Sequence, residues 1–339
     1  MSDQLLECAV VGLGMGEQHA RALLQDPRCQ LKYVVDFDQS KARKFIEDNH
    51  LTDVGIRSFS EVVEDKTINL ITLASYDDHH YEQTLQCIKH LKHIFVEKPL
   101  CQTLNQLNNI HTHWKDTQVE LSSNLVLRKA PLYIWLKDFI QRGELGEIYS
   151  FDGDYLYGRV QKITEGWRKD IENYSVMQGG GIHIVDLMLW LTGQKPCSVS
   201  STKNKIATQN TSFRYHDFHS AVFTFPSGLI GRVTANFGCV HRHQHVIRIF
   251  GTKGTFLYDD LGPRIYWNRD EEGKPEFLPY APKPPANQKG ALVHNLVDNI
   301  MQGKSSANTQ REFDLMSVVL AADESMSYVK PLTIEYFTC

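Results

Sequence analysis

The chain contains 339 residues, of which 42% are hydrophobic and 22% are charged, and its formal net charge is −4. This composition is typical of a globular protein with a sizeable core, and the length predicts about two domains. The sequence has neither a strongly basic charge balance nor an apolar run of membrane-spanning length, which argues against nucleic-acid, anionic-membrane and transmembrane functions.

The cysteines and the first residues indicate the cellular compartment. The seven cysteines are odd in number and show no CxxC spacing, which favours reduced thiols over disulfides or a zinc site. The chain leads directly into an apolar segment, without the basic region or cleavage site of a secretory signal. We therefore expect a cytoplasmic protein without a metal ion.

The first predicted element is a strand over Leu6–Val11, followed by a glycine-rich turn and a helical pattern. The turn reads Gly12-Leu13-Gly14-Met15-Gly16. Glycines in such a turn let backbone N–H groups, those of Met15 included, approach a pyrophosphate, which the helix N-terminus favours electrostatically. The spacing GxGxG is one residue shorter than the usual GxGxxG, so the glycines alone are a weak signal.

An aspartate strengthens the prediction of a dinucleotide site. A second apolar run, Leu31–Val35, ends in Asp36, which lies 20 residues after Gly16. An acid at that spacing accepts hydrogen bonds from the adenosine ribose and repels a 2′-phosphate. The sequence therefore favours NAD over NADP as the cofactor.

The alternation of apolar runs and helical patterns continues to about residue 123. A helix near Ser40–Asn49, a short helix with Ser60 as its N-cap, and further strands follow in turn. Six strands alternating with helices predict an α/β domain over residues 1–123 with a doubly wound parallel sheet. The fifth strand ends in Glu97-Lys98-Pro99, which places Lys98 beyond the carboxyl end of a strand, where such sheets bind ligands.

After Asn124 the pattern changes to strands without intervening helices, which predicts an α+β domain over residues 124–339 with an open, mostly antiparallel sheet. An apolar helix containing IHIVDLMLWLT is expected to end at Gly193. Two further helices, about Ala291–Met301 and Arg311–Val329, and a strand near Thr333–Tyr336 are predicted to close the chain.

Several motifs resemble the glucose-fructose oxidoreductase, inositol 2-dehydrogenase and rhizopine-catabolism family, written Gfo/Idh/MocA. The motifs are VVGLGMGEQHARAL, HIFVEKPL, GWRKD, GGGIHIVDLMLWLTG and IFGTKGTF, and they extend over nearly the whole chain. The resemblance implies an NAD(P)-dependent oxidoreductase that acts on a sugar, sugar nucleotide or cyclitol. It also implies an N-terminal Rossmann domain and a C-terminal domain whose open sheet forms an oligomer interface, so we expect a homo-oligomer.

The resemblance assigns roles to individual residues. It places the pyrophosphate at the three glycines of the turn and the ribose at Asp36. The remaining assignments are the loop beside the nicotinamide half, Ser75 and His80; the catalytic edge, Glu97 and Lys98; and the histidine of the active-site helix, His183.

One departure from the family pattern concerns the active site. The family helix typically reads DxxxH, whereas the position four before His183 is Gly179. This glycine puts the family's set of a lysine, an aspartate and a histidine in doubt. Tyr76 also stands where the family loop usually has proline.

Oxidation of a secondary alcohol requires a hydride acceptor and a base for the hydroxyl proton. His183 is the leading candidate for the base, because an imidazole titrates near neutral pH. Lys98 would stabilise negative charge on the same oxygen, or would itself act as the base if burial lowers its pKa. Asp186, three residues after His183, either orients the imidazole or bonds a neighbouring loop or helix end.

Aromatic and basic residues indicate the substrate. We expect substrate contacts from Lys98 and His183 and from a further set: Asn124, Tyr155, Tyr157, Arg159, Trp167 and Arg168. Sugars stack on aromatic rings and arginine pairs with phosphate or carboxylate, which favours an anionic sugar such as a nucleotide sugar or uronate; a solvated loop is the alternative.

Three alternating histidines, His241, His243 and His245, share a face of a predicted strand and could suggest a metal ion. Because no zinc motif accompanies them, an interface or a solvated edge is the favoured interpretation.

Three functions remain open at this stage. The leading hypothesis is hydride transfer at a sugar hydroxyl with NAD. The alternatives are NAD-assisted glycoside cleavage or elimination through transient oxidation, and a non-catalytic dinucleotide sensor.

Overall fold

The computed structural model describes residues 5–303, 307–326 and 330–337. These residues form two compact units. The first comprises the described residues of Met1–Val126 and of Pro285–Met316 together with Phe337. The second comprises Leu127–Pro284 and the described residues of Ser317–Tyr336. Among the described ranges, no helix combines the length and apolar character that crossing a bilayer requires.

This division differs from the predicted domain boundary at residues 123 and 124, because a C-terminal segment packs with the first unit. The Leu121 N–H donates to Thr309 Oγ1 at 2.9 Å, and Arg28 Nη1 lies 2.5 Å from Asp298 Oδ1. The predicted second domain therefore includes residues that belong structurally to the first unit. Sequence patterns do not encode such a return of the chain.

The first unit is built on a parallel sheet of six strands, as predicted. Its order is β3-β2-β1-β4-β5-β6, with a crossover at β1 and β4. The central strands are buried on both faces, which explains their continuous apolar runs. The strands are β1 Leu6–Val11, β2 Cys29–Val35, β3 Gly55–Ile56, β4 Leu70–Leu73, β5 His93–Val96 and β6 Leu121–Ser123.

Helices join these strands. Asp38 caps α2 by accepting the Ser40 N–H, and Ser58 forms a capping box with Glu61 at the start of α3. The predicted cap at Ser60 is therefore wrong by two residues. The helices up to residue 126 are α1 Gly16–Gln25, α2 Gln39–Asp48, α3 Phe59–Glu64, α4 His80–Lys89 and α5 Leu104–Trp114.

The second unit contains a sheet of nine strands with the order β14-β13-β12-β11-β7-β10-β9-β8-β15. The pair β7 and β10 is parallel and the other described pairs are antiparallel, so the prediction of a mostly antiparallel sheet is confirmed. The strands are β7 Ile148–Leu156, β8 Ser198–Asn204, β9 Phe218–Thr224, β10 Ile230–Asn236, β11 Gln244–Gly251, β12 Thr255–Asp259, β13 Gly262–Tyr266, β14 Glu276–Phe277 and β15 Leu332–Thr333.

The helix that carries His183 packs on the sheet of the second unit. It follows a π turn over Met177–Gly181 and ends at Gly193, which adopts a φ of +69° as the predicted C-cap. The helices after residue 126 are α6 Pro131–Gln141, α7 Gln161–Thr164, α8 Ile182–Thr192, α9 Leu292–Gln302 and α10 Ala307–Ser325.

The last two predicted elements were placed too far along the chain. The final long helix, α10, begins four residues before the predicted start, and the predicted end at Val329 lies outside the described residues. The last strand begins at Leu332, one residue before the predicted start.

Candidate active site

The glycine turn of the first unit has the geometry of a phosphate cradle. Gly12 adopts a φ of +82°, and a Cβ there would lie 2.7 Å from the carbonyl carbon of Ala74, so only glycine fits. In the described part of the chain, no atom lies within 4 Å of a Cβ placed on Gly14, which leaves its backbone open to a ligand. Among the residues that the structure describes, no side chain caps α1, whose first residue is Gly16. The turn therefore fits a pyrophosphate at a helix N-terminus, despite its shorter spacing.

Asp36 lies beside this turn. Its side chain is 2% exposed; Oδ2 accepts the Leu13 N–H at 2.7 Å and Oδ1 accepts the Asp38 N–H at 3.0 Å. The ammonium group of Lys41 lies 3.7 Å from the carboxylate. The carboxylate is thus fixed in place with lone pairs remaining for the ribose hydroxyls.

A cavity of about 890 Å³ joins these parts within the first unit. Its size suits a cofactor rather than a single ion. The lining residues relevant to the cofactor are Gly12, Gly14, Asp36, Lys41, Ser75 and Tyr76.

Ser75 lies in the loop after β4 and His80 is the first residue of α4; both are predicted beside the nicotinamide half. Ser75 lines the cavity, and its hydroxyl donates to Gln83 Oε1 at 2.7 Å. His80 is fully buried, with Nδ1 2.7 Å from the Pro99 carbonyl oxygen and Nε2 3.2 Å from the Ser75 carbonyl oxygen. Because the imidazole is buried between two carbonyl oxygens, it holds the start of α4 against the loop, and its predicted contact with the cofactor stays a prediction.

Glu97 and Lys98 follow β5 directly. Glu97 Oε1 accepts the Asn124 amide N–H at 2.6 Å and lies 3.1 Å from His19 Nε2. Burial by itself would raise the pKa of Glu97, but His19, Asn124 and Lys98 hold it below its ordinary value. Glu97 therefore anchors the turn that presents the half-buried Lys98.

This network includes one predicted residue and adds another. Asn124 is 1% exposed and donates to Glu97, so it supports the turn, while its predicted contact with substrate stays a prediction. His19 is fully buried on α1 and was not predicted as a site residue. Its position seven residues after Gly12, in the segment GMGEQHA, is the available sequence signal.

In the second unit, aromatic rings surround His183. The imidazole stacks on Tyr155 with ring centroids 6.0 Å apart, and Tyr155 stacks on Tyr157 at 5.9 Å. The guanidinium of Arg159 lies 4.5 Å from the Tyr157 ring centroid. The alternating residues at the end of β7 and directly after it thus bring together the predicted tyrosines and Arg159, beside the predicted base on α8.

Two histidines belong to the same group, contrary to the favoured interpretation of an interface or solvated edge. The rings of His243 and His245 each lie 5.2 Å from Tyr155. Burial lowers the pKa of His243 to about 4 and that of His245 to about 3, so both are neutral at neutral pH. We call Tyr155, Tyr157, His183, Phe237, His243 and His245 the aromatic cluster.

The third of these histidines behaves differently. His241 pairs with the exposed carboxylate of Asp260 at 3.1 Å, a solvated edge as expected. Within the ranges that the structure describes, no three His, Cys, Asp or Glu side chains are arranged to hold a metal ion.

Trp167 and Arg168 form a separate pair on a 3-10 turn. The guanidinium lies 4.3 Å from the indole centroid. Burial raises the pKa of the Tyr155 phenol, and the charges of Arg159 and Arg168 oppose that rise. Arg168 therefore adds positive potential to the aromatic cluster, while its role as a substrate contact stays a prediction.

Asp186 has a partner that the sequence did not indicate. Arg128 Nε donates to its two oxygens at 3.1 and 3.0 Å, Nη2 forms a further short hydrogen bond, and Asp186 is 1% exposed. This bidentate ion pair supports the alternative in which Asp186 bonds a neighbouring segment. Orientation of His183 by Asp186 stays a prediction, since Arg128 competes for the same oxygens.

The structure explains the glycine four residues before His183. A Cβ on Gly179 would collide with the Tyr174 hydroxyl and would lie 2.8 Å from Tyr174 Cζ. Tyr174 is buried, with its ring against Phe213 and Tyr215. An aspartate at position 179 is therefore incompatible with Tyr174 in its present place.

Comparisons with known proteins agree with this architecture. Residues 6–125 match the model of the oxidoreductase family with an NAD-binding Rossmann fold, and residues 133–257 match the GFO/IDH/MocA C-terminal domain. The scyllo-inositol 2-dehydrogenase (NAD(+)) of Bacillus subtilis is 26% identical over 269 residues, which cover 76% of this chain and 74% of the relative. Glucose-6-phosphate 3-dehydrogenase of the same organism is 29% identical over 271 residues, 75% of this chain and 74% of the relative.

A solved structure shows the same fold. Levoglucosan dehydrogenase in complex with NADH and levoglucosan matches with a TM-score of 0.83 and 19% identity, covering 98% of this chain and 100% of that chain. The two family models together confirm the resemblance seen in the motifs: the chain belongs to the Gfo/Idh/MocA family of NAD-dependent oxidoreductases.

Proposed function

We propose that this protein transfers a hydride between NAD and a secondary hydroxyl of an anionic sugar. The proposal rests on the surroundings of His183. Its imidazole stacks on Tyr155, and Arg159 lies beside Tyr157. Aromatic faces bind the apolar faces of sugar rings, and a guanidinium pairs with phosphate or carboxylate. The similarity to dehydrogenases named for inositol and glucose 6-phosphate supports a polyol substrate.

The first unit supplies the cofactor site. The glycine turn and the fixed carboxylate of Asp36 fit the pyrophosphate and the adenosine ribose. When bound there, NAD would supply the hydride acceptor that oxidation of the hydroxyl-bearing carbon requires. A 2′-phosphate would face the buried charge of Asp36, which favours NAD over NADP.

The chain supplies the proton chemistry. As the C–H bond breaks, the hydroxyl proton passes to His183 and a carbonyl group forms. Lys98 stabilises the negative charge that develops on the oxygen, and Glu97, fixed by Asn124, holds the turn that carries this lysine.

A substrate panel tests the proposal. Sugar phosphates, nucleotide sugars and uronates are each assayed beside their uncharged counterparts and beside cyclitols, with NAD, by the absorbance of the reduced cofactor. We expect turnover with higher kcat/KM for the anionic member of a pair. An Arg159→Met variant should lose more activity with that member than with its neutral counterpart.

Other outcomes would contradict distinct parts of the proposal. Preference for the neutral compounds would refute the anionic substrate class. Product without net reduced cofactor would indicate transient oxidation, and NAD binding without any turnover would indicate a sensor.

The exposed face of the second sheet supports a homo-oligomer. Val222 on β9 and Ile230 on β10 lie on the same sheet face and are 43% and 49% exposed. Apolar side chains on one sheet face suit a self-complementary interface. Light scattering on the purified protein should give a mass that is a multiple of 38.9 kDa, and a monomer at micromolar concentration would refute this.

A further inference from the structure

Two histidines of the aromatic cluster carry polar atoms that the fold itself does not use. Among the described residues, neither His243 Nε2 nor His245 Nε2 has a hydrogen-bond partner, and both atoms are buried. His245 as a whole is 7% exposed. A buried polar atom without a partner destabilises a protein, so such atoms call for a functional explanation.

The protonation of His243 follows from its neighbour. Arg159 Nη2 lies 3.1 Å from His243 Nδ1, and because a guanidinium can only donate, Nδ1 is the acceptor. The pKa of about 4 keeps the ring neutral, which leaves the proton on Nε2. His243 therefore holds a buried N–H donor.

Both rings lie beside residues that are predicted to bind the substrate and to act as the base. His245 pairs in register with Tyr155 across β11 and β7, and its ring centroid lies 6.5 Å from that of His183. The rings of His243 and His245 are 5.1 Å apart. The free Nε2 atoms thus accompany a flat tyrosine face and the candidate base.

Neutral imidazoles restrict the kind of ligand. A hydroxyl group can both donate and accept, so it matches a neutral Nε2 whichever role that atom takes. A metal ion is a poorer match, because Nδ1 of His243 is already bonded by a cation, Arg159.

We propose that His243 and His245 are specificity-determining residues whose Nε2 atoms hydrogen-bond hydroxyl groups of a polyol lying on the Tyr155 face. This inference rests on the proposed function and adds to it the residues that recognise the uncharged part of the substrate. Arg159 then has two tasks, since it orients His243 and presents positive charge.

Substitution by phenylalanine tests the inference, because it keeps an aromatic ring and removes the nitrogens. For His243→Phe and His245→Phe we expect KM for the sugar to rise about tenfold or more, with an unchanged Kd for NADH. The unfolding temperature should stay equal or increase, since an unpartnered buried nitrogen is lost. His241→Phe is the matched control and should retain the wild-type KM, because His241 lies on the same segment but outside the aromatic cluster and pairs with the exposed Asp260.

A purely structural role would give a different result. A lowered unfolding temperature with unchanged KM, or a loss confined to kcat, would overturn the inference. His245→Gln retains a polar group at a similar reach and should keep more substrate affinity than H245F. If H245F does not fold, a near-wild-type KM of H245Q is the expected result. Equal KM values for folded H245F and H245Q would also overturn the inference.

The same experiment separates failure of this inference from failure of the proposed function. Wild-type turnover with a wild-type KM in both phenylalanine variants refutes this inference alone. If the wild-type protein neither turns over nor binds any polyol of the panel in calorimetry with NADH present, both fail. Polyol binding without turnover that H245F weakens supports the inference and refutes the dehydrogenase activity.

Discussion

Replacement of Asp36 by alanine should weaken NAD binding and relax the preference for NAD over NADP. The carboxylate is 2% exposed and accepts the backbone N–H groups of Leu13 and Asp38 at 2.7 and 3.0 Å. A hydrogen bond from a ribose hydroxyl to such a charged acceptor is worth about 1.5–3 kcal/mol. Because about 1.4 kcal/mol corresponds to tenfold in affinity, Kd for NADH should rise about 10- to 150-fold.

The same substitution should affect NADPH differently. Loss of the negative charge removes repulsion of the 2′-phosphate and leaves Lys41, 3.7 Å from the carboxylate in the wild type, available to pair with it. The ratio of the Kd for NADPH to that for NADH should therefore fall. Fluorescence titration of the reduced cofactors measures both constants.

Two control variants separate loss of the ribose contact from other effects of the Asp36 substitution. Asp36→Asn keeps an oxygen that can accept a backbone N–H, so its unfolding temperature should remain closer to the wild type than that of Asp36→Ala. Asp38→Asn alters a neighbouring exposed carboxylate that bonds Ser40 and should leave both constants unchanged. An unchanged Kd for NADH in folded Asp36→Ala would refute the assignment of the ribose site.

Three further predictions concern the second unit. The pKa of His245 is about 6.5 in the unfolded chain and about 3 in the folded protein, so protonation favours the unfolded state. The free energy of unfolding should therefore fall by about 1.4 kcal/mol per pH unit below pH 6.5. Denaturant titrations from pH 7 to 4.5 should show that H245F lacks this part of the pH dependence. Arg128→Met should cost about 3–5 kcal/mol of unfolding free energy, since it leaves Asp186 buried without this partner, and a much smaller loss when Asp186→Leu is added confirms the pairing. Gly179→Ala should destabilise by about 1–3 kcal/mol in the wild type but less in a Tyr174→Ala background, and equal costs in both backgrounds would contradict the steric conflict with Tyr174.

Local patterns were sufficient to predict the parallel sheet of the first unit. Its strands are short apolar runs buried on both faces, and the chain visits them in a regular alternation with amphipathic helices. The glycine turn and Asp36 could be assigned because their chemistry depends on spacing along one βαβ segment. The return of residues 285–303 and 307–316 to this unit was not predictable, since it depends on contacts such as that of Thr309 with β6.

The second unit shows where sequence reasoning stops. His241, His243 and His245 look equivalent as an alternating series, but the pairing of β11 with β7 sets His245 opposite Tyr155, about 90 residues earlier in the chain. Strand pairing over such a separation is determined by the packed sheet and not by the local sequence. Likewise, the sequence shows only that Gly179 stands where the family has an aspartate, whereas the structure shows Tyr174 in the space that a side chain at position 179 would need.

The partner of Asp186 could not be predicted from the sequence for a related reason. Spacing of three residues on a helix places Asp186 near the face of His183, which made an orienting role plausible. Arg128, which lies 58 residues earlier, supplies a bidentate hydrogen bond to that carboxylate. Helix periodicity indicates which residues are neighbours on one helix, but not which residues approach from other segments.

The measurement that tests the central claim most directly is the kcat of Lys98→Met with the best substrate of the panel, together with its Kd for NADH. Removing a group that stabilises charge in the transition state should lower kcat about 10²- to 10³-fold, with NADH affinity within a few-fold of the wild type. Lys115→Met, an exposed lysine at the end of α5, is the control and should keep full activity. A Lys98→Met protein that binds NADH and retains full turnover would contradict the account.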